Sequence, residues 1–244
     1  MSSSRFVKSS AFDVSSITYG KPVMDNRGGK KIPINYGSGK LSLATPLMFT
    51  WGMNERVSED TGRISYDINP VFQSSKSDNI ATFQEKIQAL QDKILDDAVT
   101  NSKQWFGKSK MSREVAEAIF WPLLKYPKMK DADGNYLDEK DYSKDPTMKL
   151  KVPYWEGKFT WIDVYEMVTE AGKKAKPLWL NPDKCKKMDP PISPPQEDGQ
   201  TPMDFMPKKT YIKAGIVCNG IWMSGGKFGV TWSLADVHVR LPVS

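Results

Sequence analysis

The chain has 244 residues, 39% of them hydrophobic and 26% charged, a globular composition long enough to bury a core in one large domain or two small ones. It has no run of eighteen apolar residues, which excludes a transmembrane helix, and its two cysteines and one histidine are too few for a disulfide framework or a typical structural zinc site. The formal net charge of +6 and sequence pI of about 9.1 favour polyanionic partners.

Residues 1–16 are polar and lack the apolar segment of a secretory signal, so they are expected to form a flexible tail on a protein that is not secreted. Cys185 and Cys218 lie far apart in sequence, as suits a reducing intracellular compartment. Residues 17–244 are expected to form a single domain. Its first part reads as β: Ile32, Ile34 and Tyr36 share one face of Lys30–Tyr36. After the turn at residues 37–39, Leu41, Leu43, Thr45 and Leu47 alternate with polar or small residues, and Arg63–Ile68 repeats the period of two.

The clearest helix follows. Ser77 or Asp78 can cap it, and Ile80, Phe83, Ile87, Leu90 and Ile94 keep three-four spacing through about Val99. Packing against the sheet is the ordinary use of such a face; a homodimer seam is the alternative. Residues 101–106 suggest a short turn of helix, and Ser112 can cap another that runs to about Phe120 and ends at Pro122. Residues 125–153, dense in Lys, Asp, Tyr and Pro, and the proline-rich residues 181–209 read as long insertion loops. Between them Phe159–Val164 reads as a strand, with Ile162 and Val164 inward and Trp161 outward.

The C-terminal part returns to β. Ile212, Ala214, Ile216 and Cys218 alternate, a turn follows at Gly225-Gly226, and a second strand begins at Lys227. Its apolar parity switches between Leu234 and Val237, which predicts a β-bulge near Ala235-Asp236. Three strands, a long helix and two closing strands predict an α+β, mainly β chain. The expected architecture is an OB-fold barrel of about five strands, with the long helix after the third.

Enzymatic patterns are missing. There is no GxSxG, HExxH or Walker loop, and a Ser-His-Asp arrangement would rest on His238 alone, in a strand with no nucleophile elbow. Asp131–Tyr136 has its glycine two positions too early for a calcium loop and Tyr142 where a bidentate Glu belongs, so it reads as an Asp-Gly hairpin turn. No catalysis, cofactor or metal is expected. Basic residues interleaved with aromatics remain, the combination that holds single strands by phosphate contacts and base stacking. The candidates are Lys30, Lys31, Lys40, Arg63, Lys213 and Lys227 with Tyr36, Trp51, Tyr66, Trp161, Trp222, Phe228 and Trp232. Trp161 and Trp222 are favoured, the first by its outward parity and the second by its place before the Gly-Gly turn. The bulge would bury Phe228 and Trp232, whereas an unbroken strand would expose them.

Three segments carry a resemblance: Lys30–Tyr36 running into Leu43–Met48; the helix ending near Asn101 with Trp105-Phe106; and Ile216–Trp222 followed by Lys227–Trp232. Through them the chain, from about residue 17 to 241, resembles the single-stranded DNA-binding proteins of nucleo-cytoplasmic large DNA viruses, especially the algal-virus type. Those are similar in fold to the OB-fold single-strand binder of short-tailed coliphages. The resemblance implies a protein that coats single-stranded DNA in viral replication, recombination and repair, in the host nucleus or at a cytoplasmic replication site. It also implies viral replication proteins as partners. The coliphage protein ends in an acidic tail, whereas this chain ends Arg240-Leu241-Pro242-Val243-Ser244, so recruitment or dimerisation through such a tail is not expected here. The competing readings are a virion structural or scaffolding protein with a β-sandwich core, and an RNA binder using the same stacking physics.

Overall fold

The computed structural model describes residues 5–26 and 28–241. Its main elements are strands β1 (Met48–Val57) and β2 (Ile64–Val71), helices α1 (Asp78–Thr100), α2 (Ser102–Phe106) and α3 (Arg113–Ile119), strand β3 (Leu150–Val152), helix α4 (Pro182–Lys187), and strands β4 (Tyr211–Ser224) and β5 (Lys227–Arg240). The chain is thus α+β, with many more strands than helices. No helix among the described residues is long and apolar enough to cross a membrane.

The spine is the hairpin of β4 and β5, 14 residues each. One edge of β4 is taken in turn by Lys30–Ile32, by Ser42–Ala44 and by the start of β1. The free edge of β5 is taken by Phe120–Trp121, by β3 and by Asp163–Glu166, all parallel to it. Because β1 pairs with β2, β2 with β3, and β3 with β5, the ladder runs β4-β1-β2-β3-β5 and returns to β4. Inside this cycle lie Met48, Ile68, Leu150, Ile212, Ile216 and Leu234, all buried. They occupy alternate strand positions, as period-two geometry requires.

The predicted bulge is present: Gly215 pairs with Asp236 and Ile216 with Leu234, which leaves Ala235 as the extra residue. It restores Val237 and Val239 to the interior. A second irregularity, between Cys218 and Ile221, has a compelling local cause. Gly220 has φ of +92°, and a Cβ there would lie 2.4 Å from the Ile32 carbonyl oxygen. Only glycine permits both.

Helix α1 begins where expected, with the Ser77 hydroxyl accepting from the Ile80 N–H. It buries Ile80, Phe83, Ile87, Leu90, Ile94 and Ala98, and Phe83 stacks on Phe72 beyond the end of β2. The Ser112 cap of α3 is likewise formed, to the Val115 N–H. The Asp131 turn joins the two-stranded hairpin Lys128–Lys130 and Tyr136–Lys140, with the Asp131 carboxylate accepting from the N–H groups of Asp133 and Asn135.

Several expectations are corrected. Residues 5–16 are not a tail: Val7–Lys8 pairs with Leu43–Ala44, and the Phe12 ring is fully buried against Tyr36. The other part of that expectation, residues 1–4, lies outside the described residues. The run Lys30–Tyr36 breaks at Pro33, which has no N–H for the ladder, into Lys30–Ile32 and Ile34–Tyr36 in different sheets. These segments and Ser42–Ala44 flank the cycle, while β1 enters it. The stretch 125–153 contains β3 as well as the hairpin, and 181–209 contains α4 and the turn Pro202–Phe205. The long helix therefore follows the second strand of the cycle.

Candidate nucleic-acid interface

Residues paired across neighbouring strands point to the same face of a sheet. One such row crosses four strands near the β4–β5 turn: Lys31 pairs with Trp222, Trp222 with Gly229, and Gly229 with Trp121. Trp121 is 61% exposed and Trp222 half-buried, their ring centroids 6.1 Å apart at 64°. Gly229 is the floor between them. A Cβ there would come within 3.0 Å of the Trp222 ring and 3.1 Å of the Trp121 Cβ, so the two indoles hold their positions because this residue has no side chain.

A second row on the outer face runs Val217, Ser233, Lys151, Asp67 and Asn54. Asp67 could cancel the charge of this row, but it is buried and occupied. It accepts hydrogen bonds from Arg56, from Asn54 (3.1 Å) and from Asn69 (2.8 Å), and the Lys149 ammonium stands 3.8 Å away. Burial works against its charge, yet these donors outweigh burial and hold its carboxyl below the usual range.

Lys151 has the opposite surroundings. Crowding by protein lowers its ammonium from the ordinary lysine range, and the nearby charges of Lys149, Arg63 and Lys31 lower it further. Among the described residues no carboxylate pairs with Lys31, Lys151 or Arg63. Cations gathered without counter-charge raise the local affinity for a polyanion. Beside them the guanidinium of Arg63 lies 5.5 Å from the ring centre of Trp155, an exposed side chain on the hairpin Tyr154–Phe159. A cleft of about 460 Å³ separates Arg63 and Ile64 from that hairpin.

The thirteen predicted residues divide sharply. Lys31, Arg63 and Trp222 belong to this face, whereas exposed Lys40 lies in the separate small sheet, paired with Asn35. Lys31 and Lys40 both act on the buried Cys218 thiol, which burial nonetheless pushes up to about 12. Lys30 points the other way and donates to the carbonyls of Trp105 (2.8 Å) and Gln104 (3.3 Å) at the C-terminus of α2. Lys227 does the same for α3, donating to the Ala118 carbonyl at 3.3 Å. Both therefore satisfy orphan helix carbonyls. Tyr36 fixes the N-terminal segment, its hydroxyl oxygen accepting from the Asp13 N–H.

Tyr66 supports the Trp155 hairpin through its contacts with Tyr154 and Phe159. Burial, helped by its hydrogen bond to Glu55, pushes its hydroxyl up to about 12. Trp161 is 84% exposed as expected, but not by strand parity. The expected strand Phe159–Val164 is interrupted between Lys158–Phe159 and Asp163–Glu166, and Trp161 stands in that break at φ of +58°, with no ring or cation contact among the described residues. Trp51 and Lys213 lie on the outer face near the other end of β4. Phe228 and Trp232 are corrected: they are 0% and 1% exposed and fill the core, so neither can stack on a base.

Comparison with known proteins found no family model that matches the chain, and no curated protein matches its sequence. A similar solved structure is the single-stranded DNA-binding protein from bacteriophage Enc34 in complex with ssDNA. The similarity covers 92% of this chain and 96% of that one, with a TM-score of 0.39 and 12% identity.

Four residues of the face were missed from sequence: Trp121, Lys149, Lys151 and Trp155. Lys149–Val152 does alternate, but it lies within the stretch read as an insertion loop. Trp121 next to Pro122 gives only a helix-end signal, and its place opposite Gly229 arises from pairing across more than a hundred residues.

Proposed function

We propose that this protein binds single-stranded DNA, without catalysis, on the face formed by the Lys31–Trp222–Gly229–Trp121 row and the cations around Lys151. The observation that carries the reading is the row itself. Two indoles stand over a glycine floor beside Lys31, with Lys151 and Arg63, which no carboxylate pairs among the described residues, on the same face. Bases stack on such rings whatever their identity, while the cations track phosphates. Exposed indoles have little to offer a duplex, whose bases are already stacked. The closed cycle of five paired strands supports assigning it to OB-type barrels. The segments that resemble large-DNA-virus proteins support a role in viral replication, recombination and repair.

The test is titration of the full chain with a fluorescent single strand and with its duplex. We expect quenching of tryptophan fluorescence and clear preference for the single strand, both reduced in Trp121→Ala and Trp222→Ala. Equal affinity for the duplex, or full affinity in both variants, would overturn the proposal.

A further inference from the structure

At the opposite end of β4 stands a second aromatic and basic cluster that the first face does not include. Tyr211 pairs with Phe49 on one side and Arg240 on the other. Phe49 meets Tyr211 edge-on at 5.4 Å and Trp51 at 4.9 Å, and the Arg240 guanidinium lies 4.5 Å from the Tyr211 ring centre. Trp51, the outermost ring, is 62% exposed.

Its backbone is tightly held. The register of β1 shifts between Thr50 and Met53; the Thr50 N–H donates to the Thr210 carbonyl at 2.9 Å, and the Met53 N–H to the Met206 carbonyl at 3.0 Å. Gly52, between them, has φ of +90°, and a Cβ there would lie 2.9 Å from the backbone of Pro207 and Lys208. A bulge anchored on both sides re-aims a side chain. Here it presents a large indole to solvent, with its orientation already fixed by Phe49. Among the described residues, Arg240 and Lys213, on the same outer face, form no ion pair.

We infer that Trp51, with Tyr211 and Arg240, is a second, separate contact for single-stranded nucleic acid, stacking one base and holding its phosphate. This rests on the function proposed above. The charge complementarity is that of the first face: cations that no carboxylate pairs among the described residues, beside an exposed ring. Trp222 and Tyr211 stand near opposite ends of a 14-residue strand, roughly 35 Å apart at about 3.3 Å per residue. Between the two sites Phe6 packs on Gly215, where a Cβ would meet its ring at 2.6 Å. A short oligonucleotide can therefore fill one site, and only a longer strand reaches both.

The experiment compares oligonucleotides of about 6 and about 25 nucleotides, the first within and the second beyond the span of one OB-type site, about 4–16 nucleotides. They are titrated into the full chain and into Trp51→Ala, Arg240→Ala and Trp121→Ala, with thermal unfolding of each variant as a folding control. Trp51→Ala and Arg240→Ala are expected to weaken the long strand roughly five- to hundredfold and leave the short one unchanged. Trp121→Ala weakens both. If Trp51→Ala and Arg240→Ala bind the long strand as the wild type does while Trp121→Ala is impaired, the second site is overturned and the first face stands. An equal loss on both lengths in Trp51→Ala overturns the separation of the sites. Unimpaired binding of the short strand by Trp121→Ala refutes the first face instead.

Discussion

The first face combines stacking and charge, and salt separates them. Four cations surround its centre: Lys31, Arg63, Lys149 and Lys151. Single-stranded binding loses about 0.7 in the slope of log affinity against log salt for each phosphate neutralised. Four contacts give a slope of about −2.8, a loss of roughly fiftyfold between about 50 and 200 mM salt. Lys151→Ala should reduce the slope to about −2.1 and that loss to roughly twentyfold. Trp121→Ala should behave differently. Its ring is 61% exposed, so its removal changes stability by only about 0.5 kcal/mol. Losing a stack worth about 1–3 kcal/mol should weaken binding roughly 5- to 150-fold at every salt concentration, with the slope unchanged. Fluorescence anisotropy at four salt concentrations, on wild type and both variants, gives slope and offset together. A slope unmoved by Lys151→Ala, or a Trp121→Ala variant that changes slope rather than offset, would refute the division of labour.

Other substitutions test the interior and the electrostatics. Phe228→Ala should cost about 3–5 kcal/mol in chemical denaturation, because it empties a site enclosed by Phe106 and Phe120. Trp232→Phe should lie within about 1 kcal/mol of wild type, since its buried indole N–H has no partner among the described residues and the lost volume is offset by removing it. Asp67→Ala should lose about 2–4 kcal/mol by leaving Arg56, Asn54 and Asn69 without their acceptor. Because the folded Asp67 carboxyl is held below its ordinary value, its contribution is present above the unfolded carboxylate range and lost as pH falls through the lowered folded value; the acid unfolding midpoint of Asp67→Asn should show this loss. Lys151 titrates below the ordinary lysine range in the free protein, and a bound phosphate favours its charged form, so affinity should fall as pH rises through that lowered value. Lys151→Arg, charged throughout, should bind with a flat profile in the same window, and a wild-type profile equally flat would contradict the assignment.

The sequence revealed those parts of the fold whose cause is local. The α1 face, the Ser77 and Ser112 caps and the bulge at Ala235 each follow from spacing within a few residues. The strand β3 did not emerge, because three residues among Lys, Asp and Pro are too short a period to register, and their partners lie on β2 and β5. For the same reason Ser42–Ala44 and Lys30–Ile32 read as leading strands although they only flank the cycle. Among the candidate contacts, Lys31 and Trp222 could be read from residue type, whereas Trp121 depends on the Gly229 pairing.

What residue type could not decide, strand parity did. Lys30 and Lys31 are adjacent and chemically identical, yet alternation sends one to the carbonyls at the end of α2 and the other to the row of Trp222. In the β4–β5 hairpin the same alternation puts Trp222 outside and Phe228 and Trp232 inside. A helix C-terminus and a phosphate both attract a lysine, and a core and a base both attract an indole. The proposed ligand-facing set is therefore the subset of basic and aromatic residues that the register does not turn to the interior or to a helix end. In the hairpin, Gly229 keeps that set accessible by letting two indoles sit above the sheet with only backbone beneath them.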